Sequence, residues 1–175
     1  QLAAEPEELV EVDAPTTAQA LAKLLAAAIG GRIALPIPAE LPAQTRAVMR
    51  SVAGGHPLYS ELVAQSGLVL FSSGSSGQPK GMLHNFDALL ERYRQLHERH
   101  DRCLLLLLLD HIGGLDTAFR CLFAGSTLII PDARTPEAVG AAIERSAATI
   151  LPASPTLLQL MLLQATAKRY DLSSL

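Results

Sequence analysis

Ser72-Ser73-Gly74-Ser75-Ser76-Gly77-Gln78-Pro79-Lys80-Gly81 follows directly on Gly67-Leu68-Val69-Leu70-Phe71. The apolar run predicts a buried strand, so the Gly/Ser segment falls at a carboxyl strand end, where open α/β sheets bind ligands. Such a segment suits a polyphosphate. Glycine lets backbone N–H groups approach ligand oxygens, and turns of successive amides form anion-binding concavities. The hydroxyls of Ser72, Ser73, Ser75 and Ser76 add short donors. Lys80 adds a cation on a long stem.

Two rivals fail on residues. A flexible linker explains the glycines and serines but not Gln78-Pro79-Lys80-Gly81 with a strand before it and a helix after it. The nucleotide loop GxxxxGK[ST], started at Gly74, meets Pro79 where its second glycine belongs, and Gly81 follows the lysine where Ser or Thr is required. The bulk properties agree with an ordinary globular domain. Hydrophobic residues make up 49% of the 175 and charged ones 18%, which excludes a disordered chain. A net charge of -3 gives no field that favours nucleic acid or an anionic membrane. The longest apolar run, Cys103 to Leu109, is far short of the roughly 20 residues a membrane helix needs. Cys103 and Cys121 lack ligand spacing and read as buried free thiols, with no metal site. No signal peptide precedes the acidic N-terminus, so a reducing cytoplasm is the default.

Outward from the loop, strands and helices alternate. Residues 1–15 read as an acidic, loosely held arm. A capping box at Thr16-Thr17-Ala18-Gln19 opens a helix with Leu21, Leu24, Leu25 and Ala28 on one face, and Gly30-Gly31 stops it. Arg32 to Leu35 predicts a strand ended by Pro36, and Pro38 to Ala53 a weakly marked helix. Asn85 caps a helix expected to run to about His100, with Phe86, Leu90, Tyr93 and His97 on one side. Leu104 to Leu109 predicts a central strand. A helix through Phe119 and Leu122 follows, then a strand at Thr127 to Ile130. Thr135-Pro136-Glu137 opens a further helix, Thr149 to Leu151 is a strand, and Ser154-Pro155 opens the last helix. This order predicts an α/β fold, a mostly parallel sheet with helices on both faces.

The loop resembles the signature of the adenylate-forming superfamily, with Ser76 where the family prefers Thr. These are acyl-CoA synthetases, aryl-acid ligases, luciferases and the adenylation domains of peptide synthetases. Leu109-Asp110-His111-Ile112-Gly113-Gly114-Leu115 is similar to a second family motif, Phe-His-Ile-Gly-Gly-Leu, with Asp110 in place of the aromatic. The resemblance implies that Ser72, Ser73, Gly74, Ser75, Ser76, Gly77 and Lys80 bind ATP phosphates, Lys80 contacting the departing pyrophosphate. It implies that Asp110, His111, Gly113 and Gly114 line the pocket for a small carboxylic acid. His84 has a family counterpart without a settled role. Asp110 has three readings: helix cap, orienter of His111, or partner of a substrate ammonium in an amino-acid-activating relative.

The implied reaction is ATP-dependent acyl-adenylate formation with Mg2+, then thioester formation with CoA or a carrier-protein phosphopantetheine. The implied extent is a single partial domain over 1–175, part of the large N-terminal domain. The family's Tyr-Gly-x-Thr-Glu motif, ribose-binding Asp and small lid domain do not occur in the sequence, so no complete catalytic set is expected and the chain alone is expected to be inactive. The alternatives from other classes are a nonenzymatic nucleotide- or partner-binding module and an NTPase of another fold.

Overall fold

The computed structural model describes residues 9–13, 17–38, 40–56, 66–73, 79–165 and 170–175. They form two compact units, one of residues 1–92 with 108–112 and one of 93–107 with 113–175.

In the first unit, β1 (Leu9–Asp13), β2 (Ile33–Ile37), β3 (Gly67–Ser73) and β4 (Pro79–Asn85) form one sheet in that order. The first three are parallel; β4 runs antiparallel to β3. Helix α1 (Ala18–Ile29) joins β1 to β2, and α2 (Ala43–Gly54) follows β2. They cover opposite faces. Val10 shares a groove with Lys23, Ala26 and Ala27 of α1. On the other face Ile33, Leu35 and Ile37 pack with Met49 and Ala53 of α2 and with Val69. Strand alternation explains how one strand serves both helices.

The start of α1 differs from expectation by one residue, while Gly30-Gly31 stops it as expected. Thr17, not Thr16, is the cap, its Oγ1 accepting from the Ala20 amide at 3.1 Å, a contact worth about 1 kcal/mol. The buried face is Ala20, Leu21, Leu24 and Ala27. Gly31, at φ 66°, takes the left-handed position. Pro36 does not end β2 but lies inside it. β2 pairs with β1 along its whole length but with β3 only at Ile33 and Ala34, so Pro36 has no β3 partner to lose.

Of the expected acidic arm, residues 1–8, 14 and 15 lie outside the described residues, and Leu9–Asp13 is strand. This edge strand is held by α2: Arg46 Nη2 lies 2.7 Å from Asp13 Oδ1 and 3.0 Å from Glu11 Oε1, and Arg50 Nη2 lies 2.9 Å from Glu11 Oε2. The hydrogen bond from Arg46 holds the Asp13 carboxyl below the usual carboxylate range.

The second unit has a smaller parallel pair, β5 (Arg102–Leu104) and β6 (Thr127–Ile129), with Ile150 bridging Cys103 in parallel. Only three residues of the expected strand at Leu104 to Leu109 and its approach are strand; Leu105 adds one bond to Ile129 O, and the chain then turns at Leu109-Asp110. Thr149 to Leu151 contributes the single bridge. Helix α3 (Phe86–Glu91) of the first unit keeps its Asn85 cap, at 2.9 Å from the Ala88 amide, but stops well short of His100. The remaining helices are α4 (Ile112–Phe123), α5 (Pro136–Ser146) and α6 (Pro155–Ala165). Leu104 packs with Val139, Ala142 and Ile143 of α5 and Met161 of α6. Cys103, on the opposite face of β5, shares a cleft with α4.

Gly140 of α5 lies against Tyr170: an added Cβ would stand 2.5 Å from the ring. Glycine inside a helix normally costs about 1 kcal/mol against alanine, yet here the methyl has no room. Gly140→Ala should therefore lower the melting temperature, by about 1–3 kcal/mol of stability. In a Tyr170→Ala background the same change should raise it, and thermal denaturation of the four proteins of this cycle checks the pair.

Candidate functional site

Ser73 ends β3 and Pro79 begins β4, so Gly74, Ser75, Ser76 and Gly77 lie outside the described residues. What is described is the base of the loop. The antiparallel register sets Ser72 opposite Lys80 and Ser73 opposite Pro79. Ser72 and Lys80 are both exposed. Sequence alternation had no means of showing β4, because its residues, Pro-Lys-Gly-Met-Leu-His-Asn, mix a ring, a charge and a glycine. Their partners on β3 determine the strand.

Directly opposed residues of such a ladder point to the same side. Val69, Phe71, Gly81 and Leu83 therefore face α2, and Leu68, Leu70, Ser72, Lys80, Met82 and His84 face away from it. The α2 side explains Gly81. A Cβ there would stand 3.2 Å from Val69 Cγ1 and 3.4 Å from both Phe71 Cε1 and Val52 Cγ1. The glycine after the lysine is thus a packing requirement of the hairpin, while the lysine points to the other side.

Four residues along that face stands His84. Its Nε2 is buried and has no hydrogen-bond partner among the described residues. Burial, and then the charge of Arg92, push the imidazole pKa below its usual value. His84 lines a cleft of about 310 Å³ with Asn85, Ala88 and Arg92. Sequence reasoning gave it no role, and its burial has no signature in an exposed-looking run.

The second motif is split between elements. Leu109 and Asp110 form a turn before α4, closed by the His111 amide on Leu108 O at 3.2 Å. Asp110 is 11% exposed and His111 63%, with His111 Nε2 3.9 Å from Asp110 Oδ2, too long for a hydrogen bond. Asp110 Oδ1 is buried without a partner among the described residues. Gly113 and Gly114 sit in the first turn of α4, where a Cβ on Gly113 would meet Leu107 Cδ1 at 3.3 Å and Gly114 is buried. The Thr117 hydroxyl donates back to Gly113 O at 2.9 Å.

The cysteines are not candidates for chemistry. Both are free and buried, and burial pushes the Cys103 thiol up to about 12, far from a thiolate nucleophile. Among the described residues no three or more His, Cys, Asp or Glu gather as a metal site, and no helix is long and apolar enough to cross a membrane.

A family model described as AMP-binding enzyme matches residues 64–175. The chain belongs to the AMP-binding enzyme family. It is 33% identical over 115 residues to 4-coumarate--CoA ligase-like 9 of Arabidopsis thaliana, covering 61% of this chain and 20% of that protein. It is 34% identical over 114 residues to indoleacetate--CoA ligase of Aromatoleum aromaticum, covering 62% of this chain and 22% of that protein. Phenyloxazoline synthase MbtB of Mycolicibacterium paratuberculosis is 30% identical over 153 residues, 78% of this chain and 12% of its own length. Among solved structures, o-succinylbenzoate CoA synthetase of Bacillus subtilis with its acyl-adenylate intermediate overlays at TM-score 0.67 and 19% identity, covering 89% of this chain and 50% of that one. The N-terminal subdomain of Klebsiella oxytoca NpsA overlays at 0.74 and 18%, covering 91% and 50%. The fold is that of the N-terminal domains of adenylate-forming enzymes. The chain spans about a fifth or less of these curated relatives and about half of these solved chains.

The two sides of β4 differ in packing, tight at Gly81 and open at Lys80. Gly81→Val should cost about 1–3 kcal/mol of stability through overpacking against Val52 and Val69. Lys80→Gln, on an exposed side chain, should stay within about 0.5 kcal/mol; denaturant titration of both variants measures the contrast. His84 adds a pH dependence. With its folded pKa below the unfolded value, its contribution is intact above about pH 6.5. It is lost as pH falls toward the folded pKa, because the unfolded chain takes up the proton first. His84→Gln should flatten the stability profile over that window.

Proposed function

We propose that this chain is the phosphate-gripping part of an enzyme that activates a carboxylic acid with ATP. The carboxylate attacks the α-phosphorus; the bond to the bridging oxygen breaks, leaving acyl-adenylate and pyrophosphate. The register that sets Ser72 opposite Lys80 carries this reading. It brings a hydroxyl and a cation to the two ends of the Gly/Ser loop, where charge on a leaving polyphosphate needs neutralising. Ser72, Ser73, Gly74, Ser75, Ser76 and Gly77 would cradle the phosphates, with Lys80 on the pyrophosphate. Asp110, His111, Gly113 and Gly114 would form a wall of the acid pocket. A thiol acceptor, CoA or a carrier-protein phosphopantetheine, would take the acyl group. Mg2+ belongs to this chemistry, but the described residues hold no cluster that fits it.

One observation favours a second reading of the substrate. A buried carboxylate oxygen without a donor is costly, and Asp110 Oδ1 is in that state among the described residues. A substrate ammonium would satisfy it, as an amino-acid-activating enzyme requires.

Pyrophosphate exchange tests the proposal. The 175-residue chain alone should give no acid-dependent exchange, since it supplies a grip without a complete catalytic set. In the enzyme that contains it, Lys80→Ala should lower exchange by about 10²–10³-fold with folding intact. Exchange unchanged by that substitution would remove the loop from the chemistry. Asp110→Asn should depress exchange with amino acids far more than with simple acids if the second reading holds.

A further inference from the structure

In the first unit two buried polar side-chain atoms have no partner among the described residues, Asp110 Oδ1 and His84 Nε2. The reaction proposed above gives His84 no task. A buried nitrogen left unpaired is costly, and such groups in folded proteins call for an explanation.

The surroundings of His84 supply one. Leu83, His84 and Asn85 at the end of β4 and Ala88, Leu89 and Arg92 along α3 and its C-cap bound a cleft of about 310 Å³. No acidic side chain is among these walls. Asp87 and Glu91 belong to the same helix but do not line the cleft. The side-chain oxygen of Asn85 is turned to the helix, accepting from the Ala88 amide at 2.9 Å. The polar chemistry of the walls is therefore that of donors, an imidazole and a guanidinium, and the rest is the apolar surface of Leu83, Ala88 and Leu89. The charge of Arg92 already acts on the imidazole.

Size and charge select the ligand. A cleft of this volume is at the small end of ligand pockets, which start at about 300 Å³, so it suits a short acid and not a nucleotide. Arg92 brings one positive charge, and a carboxylate brings one negative charge to match it. A phosphate ester carries about 1.5 to 2 and would leave an excess. The position is also separate from Lys80. The two residues share one side of β4, but four residues of antiparallel strand span about 14 Å. A phosphate held at Lys80 is not the group that meets His84.

We propose that the cleft between β4 and α3 binds a small apolar carboxylate, one oxygen accepting from His84 Nε2–H, the charge paired with Arg92, and the tail against Leu83, Ala88 and Leu89. None of the residues of the proposed acid wall takes part, and the site needs no ATP. A charge-assisted hydrogen bond in a shielded cleft is among the stronger polar contacts, which is why the anion and not the tail should dominate the affinity.

NMR titration of the full chain without nucleotide tests this. The His84 ring signals are those lost in His84→Phe. Butyrate should shift them to saturation, together with the amides of Ala88 to Arg92. Butanol has the same tail without the charge, and inorganic phosphate has the charge without the tail; each should bind about tenfold more weakly or worse. Arg92→Gln, at an exposed position, should keep the circular dichroism of the chain and weaken butyrate by about tenfold or more. The exposed His111 reports separately on the acid wall. Butyrate shifting His111 but not His84 would overturn the carboxylate site and leave the ATP reading standing. Equal binding of butyrate to the Arg92→Gln chain, or of butanol or phosphate to the unaltered one, would overturn it as well.

Discussion

The antiparallel pairing of β3 with β4 is the constraint on which the candidate site depends. Seven consecutive pairs, from Gly67 with Asn85 to Ser73 with Pro79, clamp both ends of the Gly/Ser loop. A loop of flexible residues has many conformations, and closing its ends removes part of that freedom before any ligand arrives. The ladder performs the closure with backbone bonds, and the apolar pairs Val69–Leu83 and Phe71–Gly81 anchor it against α2. Lys80 can be exposed because its neighbour Gly81 does the packing.

This arrangement also explains how the motif divides its labour. The period of two along β4 sends Pro79, Gly81, Leu83 and Asn85 to one side and Lys80, Met82 and His84 to the other. A shift of one residue would exchange the two sets, burying the lysine against Val52 and exposing the glycine. Register therefore decides at once which residue packs and which is presented to solvent. The proline at the first pair suits a strand that begins there, since its missing N–H interrupts no earlier ladder bond.

Much of the fold was legible because it is written in local chemistry. Thr17, Asn85 and Thr135 each accept from the amide three residues on, and a cap of that kind needs only its own turn. Gly31 and Gly125, at φ 66° and 67°, stop helices for the same local reason. What failed to show were features set by distant residues. The leucine run from 104 to 109 has strand composition throughout, yet β5 ends at Leu104 and Leu105 adds one bond to Ile129 O, because β6 and the Ile150 segment are short. The helix after Asn85 keeps its cap but ends at Glu91, although Arg92 to His100 contains no breaker. Propensity allows a helix there, and packing decides against it. At the candidate site, the family resemblance was readable from residue types, while the burial of His84 Nε2 and Asp110 Oδ1 was not. An isolated histidine or aspartate carries no sequence mark of what surrounds it.

Those two orphaned atoms connect packing to function. A folded domain satisfies nearly all its buried polar groups, because each failure costs about 1–3 kcal/mol. Two such groups on the first unit, one on the strand that leaves the loop and one in the turn before α4, raise the energy of the state described. For Asp110 the neighbouring imidazole does not help: His111 turns to solvent, and its Nε2 remains 3.9 Å away. A substrate that donates a hydrogen bond to Asp110 would recover part of that cost on binding, so the unsatisfied group becomes a source of selectivity. An acid lacking the donor would leave the carboxylate unpaired and bind more weakly for the same shape. The aromatic of the motif that this stretch resembles would make no such demand. If Asp110 lines an acid pocket as proposed above, its unsatisfied oxygen would make it a determinant of which acid binds.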